Sequence, residues 1–115
     1  MDTIAGDRRH NRRYVLRLPL HYQVSPRGEA LRAGSGMTFD ISTAGISFRS
    51  RRPLPVGAHI EMTVDWPAKF ADRYPVDLQV TGFVLRSDGG RTAVRMTSRK
   101  FRVAPAPAQP IRATA

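Results

Sequence analysis

Met37-Thr38-Phe39-Asp40-Ile41-Ser42-Thr43-Ala44-Gly45-Ile46-Ser47-Phe48-Arg49 is the stretch that decides the fold. Met37, Phe39 and Ile41 alternate with Thr38, Asp40 and Ser42; past Thr43-Ala44-Gly45, Ile46 and Phe48 alternate with Ser47 and Arg49. A period of two belongs to a strand with one buried face. The stretch therefore predicts strand, turn, strand, with Gly45 available for a positive φ.

The same period extends outward in both directions. Upstream, Leu16, Leu18, Leu20, Tyr22 and Val24 share one face and Arg17, His21 and Gln23 the other, with Pro19 marking an edge or a bulge. Ser25 to Gly36 reads as a hairpin connection with frayed strand ends. Downstream, Pro53 to Gly57 is a loop, and Ile60, Met62 and Val64 alternate with His59, Glu61 and Thr63. Asp65 to Pro75 reads as a longer excursion. Val76, Leu78, Val80 and Val84 form a long strand expected to bend or bulge near Gly82, because Phe83 and Leu85 switch the apolar face. Ser87-Asp88-Gly89-Gly90 is a strong turn signal, and Thr92 to Thr97 returns as the last strand. No amphipathic helix is found. The pattern predicts an all-β chain, a small six-stranded antiparallel barrel, in which closure removes exposed edges.

At 115 residues there is room for one domain. The expected organisation is a patternless flexible N-terminus over 1–6, the barrel domain over 7–102, and a disordered Pro/Ala tail over 103–115. Charge is skewed, with 19 basic against 9 acidic residues, and 17 of the basic residues are Arg. The net +10 implies an anionic partner, whether nucleotide, nucleic acid, membrane surface or acidic protein. Cysteine is absent, which excludes disulfides and Cys-based metal sites. With no apolar leader and no run of apolar residues long enough to span a membrane, a soluble cytoplasmic protein is expected.

Two segments carry chemistry. In an extended strand Asp40 and Ser42 point the same way, opposite Phe39 and Ile41, so burying the apolar pair displays the polar one. Before a glycine, the same two residues also serve as ordinary turn formers. Arg8-Arg9-His10-Asn11-Arg12-Arg13 presents four guanidinium groups, either as a solvated basic arm or as a clamp. Arg pairs bidentately with guanine O6 and N7, or with phosphate. A carboxylate accepts from guanine N1–H and N2–H₂. Arg with Asp thus selects guanine over adenine, which offers a donor where Arg needs an acceptor.

Taken together, these segments resemble the PilZ domain, a bacterial receptor module for cyclic di-GMP. Its pattern is Arg-Arg-x-x-x-Arg, a strand containing Pro, then Asp/Asn-x-Ser-x-x-Gly. Arg9 and Arg13 fit as the spaced pair with Arg8 ahead of them, Pro19-Leu20 as the Pro-aliphatic pair, and Asp40-Ile41-Ser42-Thr43-Ala44-Gly45 as the second motif. Arg8 and Arg12 satisfy the same spacing; the distance from Arg13 to Pro19 favours the former pair. Gly82-Phe83-Val84 and Ala93-Val94-Arg95-Met96 also look like strands of the family, so the resemblance covers about residues 7–101.

The resemblance implies a barrel that binds cyclic di-GMP, often as a stacked pair. Arg9 and Arg13 would grip guanine and phosphate, and Arg8 would add to the clamp. Asp40 and Ser42 would bond a guanine edge, and Gly45 would let the backbone approach. The family's helix after the barrel is absent or very short here, around Ser98 to Arg102. No cofactor besides the ligand is expected. The partner is a downstream protein effector, with the chain a monomer or a homodimer. Two other readings stand beside this one: a PilZ-like adaptor that does not bind nucleotide, and a basic barrel for single-stranded nucleic acid. The scattered aromatics weigh against the latter. His10, His21 and His59 lack ligand spacing and no catalytic constellation is found, so an enzyme is not expected.

Overall fold

In the computed structural model, which describes residues 13–28 and 30–103, the alternation becomes six strands. They are β1 (Pro19–Ser25), β2 (Arg32–Ile41), β3 (Gly45–Arg49), β4 (His59–Phe70), β5 (Tyr74–Asp88) and β6 (Arg91–Val103). All pair antiparallel, and they close into a barrel in the order β1-β2-β3-β6-β5-β4. No helix occurs among the described residues. The last two residues of the hairpin signal, Gly89 and Gly90, take φ of 58° and 80° and let Asp88 pair with Arg91.

The interior is apolar. Leu20, Val24, Ile41, Ile46, Phe48, Ile60, Met62, Val64, Leu78, Val80, Val84 and Val94 point into it, and Leu54 and Ala58 of the loop before β4 pack against the same core. Phe48 is fully buried and lies 5.5 Å from the Tyr22 ring. At Gly82 a Cβ would stand 2.0 Å from the Arg95 carbonyl oxygen, so only glycine lets β5 and β6 approach there.

Several readings of the sequence need correcting. In β2, a bulge between Thr38 and Asp40 shifts the alternation: Met37 is exposed and Thr38 is the buried residue. Thr38 is satisfied there, because its hydroxyl bonds the Leu16 carbonyl and accepts the Leu18 N–H at 2.8 Å. In β5 the buried face does not switch; Leu78, Val80, Gly82 and Val84 all point inward, and Phe83 and Leu85 are exposed on the outside. The irregularity expected near Gly82 exists as a register shift against β6, with a second between Val84 and Arg86. Pro19 opens β1, which is not an edge strand, since β2 and β4 flank it.

Asp65 to Pro75 is not an excursion either. It is the far end of the β4–β5 hairpin, turned by Ala71 and Asp72 at φ of 54° and 58°. Ser98 to Arg102, the place of the family's helix, is strand instead and continues β6 along β5, as does Val103. The expected N-terminal segment 1–6 and all of the tail except Val103 lie outside the described residues.

The strands differ in length, and part of the sheet extends past the closed barrel. β4 pairs with β1 only up to Val64, and β6 pairs with β3 only up to Arg95. Past those points β4, β5 and β6 continue as a three-stranded ribbon with β5 in the middle.

Candidate functional site

Backbone hydrogen bonds fix where Arg13 stands. Tyr14 N–H donates to the Ile41 carbonyl at 2.8 Å, and Ile41 N–H donates to the Tyr14 carbonyl at 2.9 Å. With the bonds between Leu18 and Thr38, this two-bond bridge lays residues 14–18 against β2. Arg13 therefore emerges beside Asp40, with its Nη1 at 3.4 Å from Asp40 Oδ1.

Asp40 is mostly buried and well supplied with donors. Its Oδ1 also accepts from Ser47 Oγ at 2.9 Å, and its Oδ2 accepts from Arg91 Nη2 at 3.1 Å. Ser47 faces it directly across the β2–β3 pair. The same Arg91 nitrogen reaches Ser47 Oγ at 3.2 Å, and its guanidinium lies 4.6 Å from the Phe39 ring centroid. The bulge that re-aims β2 thus serves the site twice, turning Asp40 outward and offering Phe39 as a platform for Arg91.

The turn after β2 is closed by Ser42. Its hydroxyl accepts the N–H groups of Ala44 at 3.3 Å and Gly45 at 3.1 Å, and its own N–H donates to the Gly45 carbonyl at 2.8 Å. This is the turn-forming role that the sequence left open beside the ligand role. Gly45 does not take a positive φ, against expectation. A Cβ there would stand 2.8 Å from the Val94 carbonyl oxygen, so the glycine allows β3 to approach β6. Arg99 Nη1 donates to the Thr43 carbonyl at 2.7 Å and holds the turn from β6.

Against this wall lies an open cleft of about 1080 Å³, just above the range of roughly 300–1,000 Å³ usual for small-molecule sites. Arg13, Ser42, Arg86, Arg91 and Arg95 are among its lining residues, and Gly45 forms part of its floor. Four guanidinium groups and the Asp88 carboxylate line one cleft, and Asp40 stands just behind, bonded to its lining residues Arg13, Ser47 and Arg91. The net positive surface is suited to a multiply charged anion with a donor edge.

The structure thus brings Arg13, Asp40, Ser42 and Gly45 together, whereas Arg8 and Arg9 lie outside the described residues. Sequence reasoning missed Ser47, Arg86, Arg91 and Arg95. Arg91 and Arg95 share the outward face of β6 by simple alternation, which was visible. That β6 lies beside β3 was not, because these strands are far apart in the chain.

The family model for the PilZ domain matches residues 7–108. The chain belongs to the PilZ domain family. The six-stranded barrel is thus that of a PilZ domain, in a family of regulatory receptor modules. Among solved structures this PilZ domain is similar to the Bacillus subtilis inhibitor of motility (MotI/DgrA), with 15% identity and a TM-score of 0.58. The likeness covers 81% of this chain and 44% of that one, and at such identity it is a likeness of fold. The chain spans less than half the length of that protein. No curated protein matches it. Among the described residues, no helix is long and apolar enough to cross a membrane, and no group of three His, Asp or Glu side chains is placed to hold a metal ion.

Proposed function

We propose that this PilZ domain is a cytoplasmic, non-catalytic receptor for cyclic di-GMP, and that it takes the nucleotide in the arginine-lined cleft beside Asp40. The observation that carries the reading is the contact between Arg13 and Asp40, which joins the ends of two motifs 27 residues apart. The Asp40 carboxylate accepts from the N1–H and N2–H₂ groups of one guanine. Arg13, with Arg8 and Arg9 ahead of it, bonds the guanine O6/N7 edge and a phosphate.

Binding on these terms is an exchange. Arg13 and Arg91 leave the carboxylate and turn toward the phosphates, and the guanine edge replaces them. The ligand's two negative charges offset the mutual repulsion of Arg13, Arg86, Arg91 and Arg95, which line one cleft. Residues 7–13 close over the nucleotide, and the reshaped surface is what an effector protein reads. Ser42 acts through the turn, whose backbone it braces.

Titration calorimetry tests this directly. Wild type gives saturable heat with cyclic di-GMP, while Asp40→Ala and Arg13→Ala lose it and keep the wild-type circular dichroism. No heat from wild type at high micromolar nucleotide sinks the reading. One observation favours a second reading, an adaptor that binds protein without nucleotide: Asp40 already accepts from Arg13, Arg91 and Ser47. An effector that binds wild type and Asp40→Ala equally well, without nucleotide, supports that reading instead.

A further inference from the structure

The ribbon formed by the far ends of β4, β5 and β6 has two unlike faces. Register places Trp66 of β4 opposite Val76 of β5, Phe70 opposite Tyr74, and Phe101 and Val103 of β6 opposite Leu78 and Val76. These side chains share the face that continues the barrel interior. Trp66 and Phe101 meet edge to face at 5.0 Å, and Phe70 lies 6.5 Å from Tyr74. Yet Phe70 is 59% exposed, Phe101 57%, Val103 46% and Tyr74 44%. The reverse face is charged, carrying Asp65, Lys69, Asp77, Lys100 and Arg102, with Arg102 paired to Asp77 at 3.2 Å.

An apolar face of this extent, continuous with a core and left uncovered by the described residues, marks an interaction surface. We propose that it is the seat of a second copy of this chain, packed face to face about a two-fold axis.

Three observations choose that occupant. The first is charge. The apolar face holds one cation among its register positions, Arg99, whose guanidinium is engaged by the Thr43 carbonyl. Arg73, in the hairpin turn, has its guanidinium 5.2 Å from the Tyr74 ring centroid, and the other charged strand positions stand on the reverse side. The face presents no carboxylate and is mainly apolar, so another apolar face fits it best. The second is area. With aromatic side chains that bury about 150–250 Å² each, the half-exposed residues offer on the order of 500 Å² per copy. Two copies then bury about 1,000 Å², where specific interfaces begin. The third is the chain's own supply of cover. Past Val103 the sequence Ala-Pro-Ala-Pro-Ala-Gln-Pro-Ile-Arg-Ala-Thr-Ala contains one large apolar residue, Ile111, and three prolines that lack an N–H. It cannot fill a face of four aromatic rings. A two-fold arrangement is self-complementary, setting each aromatic cluster against its equivalent at the spacing of stacked sheets.

Sedimentation equilibrium of the full chain, over a dilution series and at two salt concentrations, tests the proposal. Wild type has the mass of two copies at tens of micromolar and falls to one on dilution. Because two chains of net +10 repel, added salt shifts the balance toward two copies. Phe101→Glu and Phe70→Glu each halve the mass and still unfold in one cooperative transition. Phe83→Glu, on the outside of the barrel, and Ile111→Asp leave the two-copy mass in place. A one-copy mass at every concentration overturns the proposal. So does a two-copy mass that survives Phe101→Glu combined with Phe70→Glu, or one that salt dissolves.

Discussion

The two halves of β6 both alternate, on either side of a register shift at Thr97, and end in opposite states. From Arg91 to Arg95 the strand lies between β3 and β5, and its inward residues Thr92 and Val94 are 0% and 1% exposed. From Met96 to Val103 it has β5 alone, and Phe101 on the inward side is more than half exposed. Alternation decides which way a side chain points, but barrel closure decides whether anything meets it there. The closed half can then commit its outward side to arginines, since its stability comes from the inside. In the open half the apolar side is left for association.

A pair of phenylalanines gives the sharpest way to break this contrast. Phe48→Ala in the closed half is expected to cost about 3–5 kcal/mol, by transfer and cavity terms together. Phe101→Ala in the open half, where the edge-to-face contact with Trp66 is the chief loss, costs about 1 kcal/mol. Denaturant unfolding of dilute, single-copy protein measures both; equal losses would mean that the ribbon is as firmly packed as the barrel.

Thr38→Val comes next. It removes the hydroxyl that bonds the Leu16 carbonyl and the Leu18 N–H, and leaves both backbone groups unsatisfied beside the core. The expected loss is about 1–3 kcal/mol. Because those bonds lay residues 14–18 against β2, amide exchange at Tyr14 should quicken by more than that at Val94. Uniform quickening would show that Thr38 supports the whole barrel rather than the seat of Arg13.

Arg91→Ala is the smallest of the three in stability. Its side chain is 54% exposed, and an exposed pair of this kind contributes about 0.2–1 kcal/mol. The melting transition should scarcely move. A large drop would place the Asp40–Ser47–Arg91 cluster among the supports of the fold instead of at its surface.

Much of this was legible in the chain. The period of two, the Asp-Gly-Gly hairpin and the run from Asp40 to Gly45 are local signals, and they locate most strands. What escaped was non-local. Nothing near Met37 announces that a bulge will bury Thr38 in its place, because a bulge is settled by the register with β3. Asp65 to Pro75 reads as an excursion because Pro67, Pro75 and scattered charges mask its pairing. Ser98 to Arg102 carries three cations and one aromatic, a pattern that looks like a solvated end until β5 is seen beside it. Within the site, Arg13 and Asp40 could be matched by motif, whereas Arg86, Arg91 and Arg95 join them only through the β3–β6 pairing.

The strand borders of the ribbon carry a final consequence. A sheet that ends in an unpaired row of amides and carbonyls is a template on which further strands can add. Here Pro67 sits in the outlying stretch of β4, where it has no N–H to offer, and the register there is broken between Trp66 and Lys69. Along the other border, Arg99, Lys100 and Arg102 would set cation beside cation against a like strand. The molecule can therefore stay open on both sides without seeding filaments.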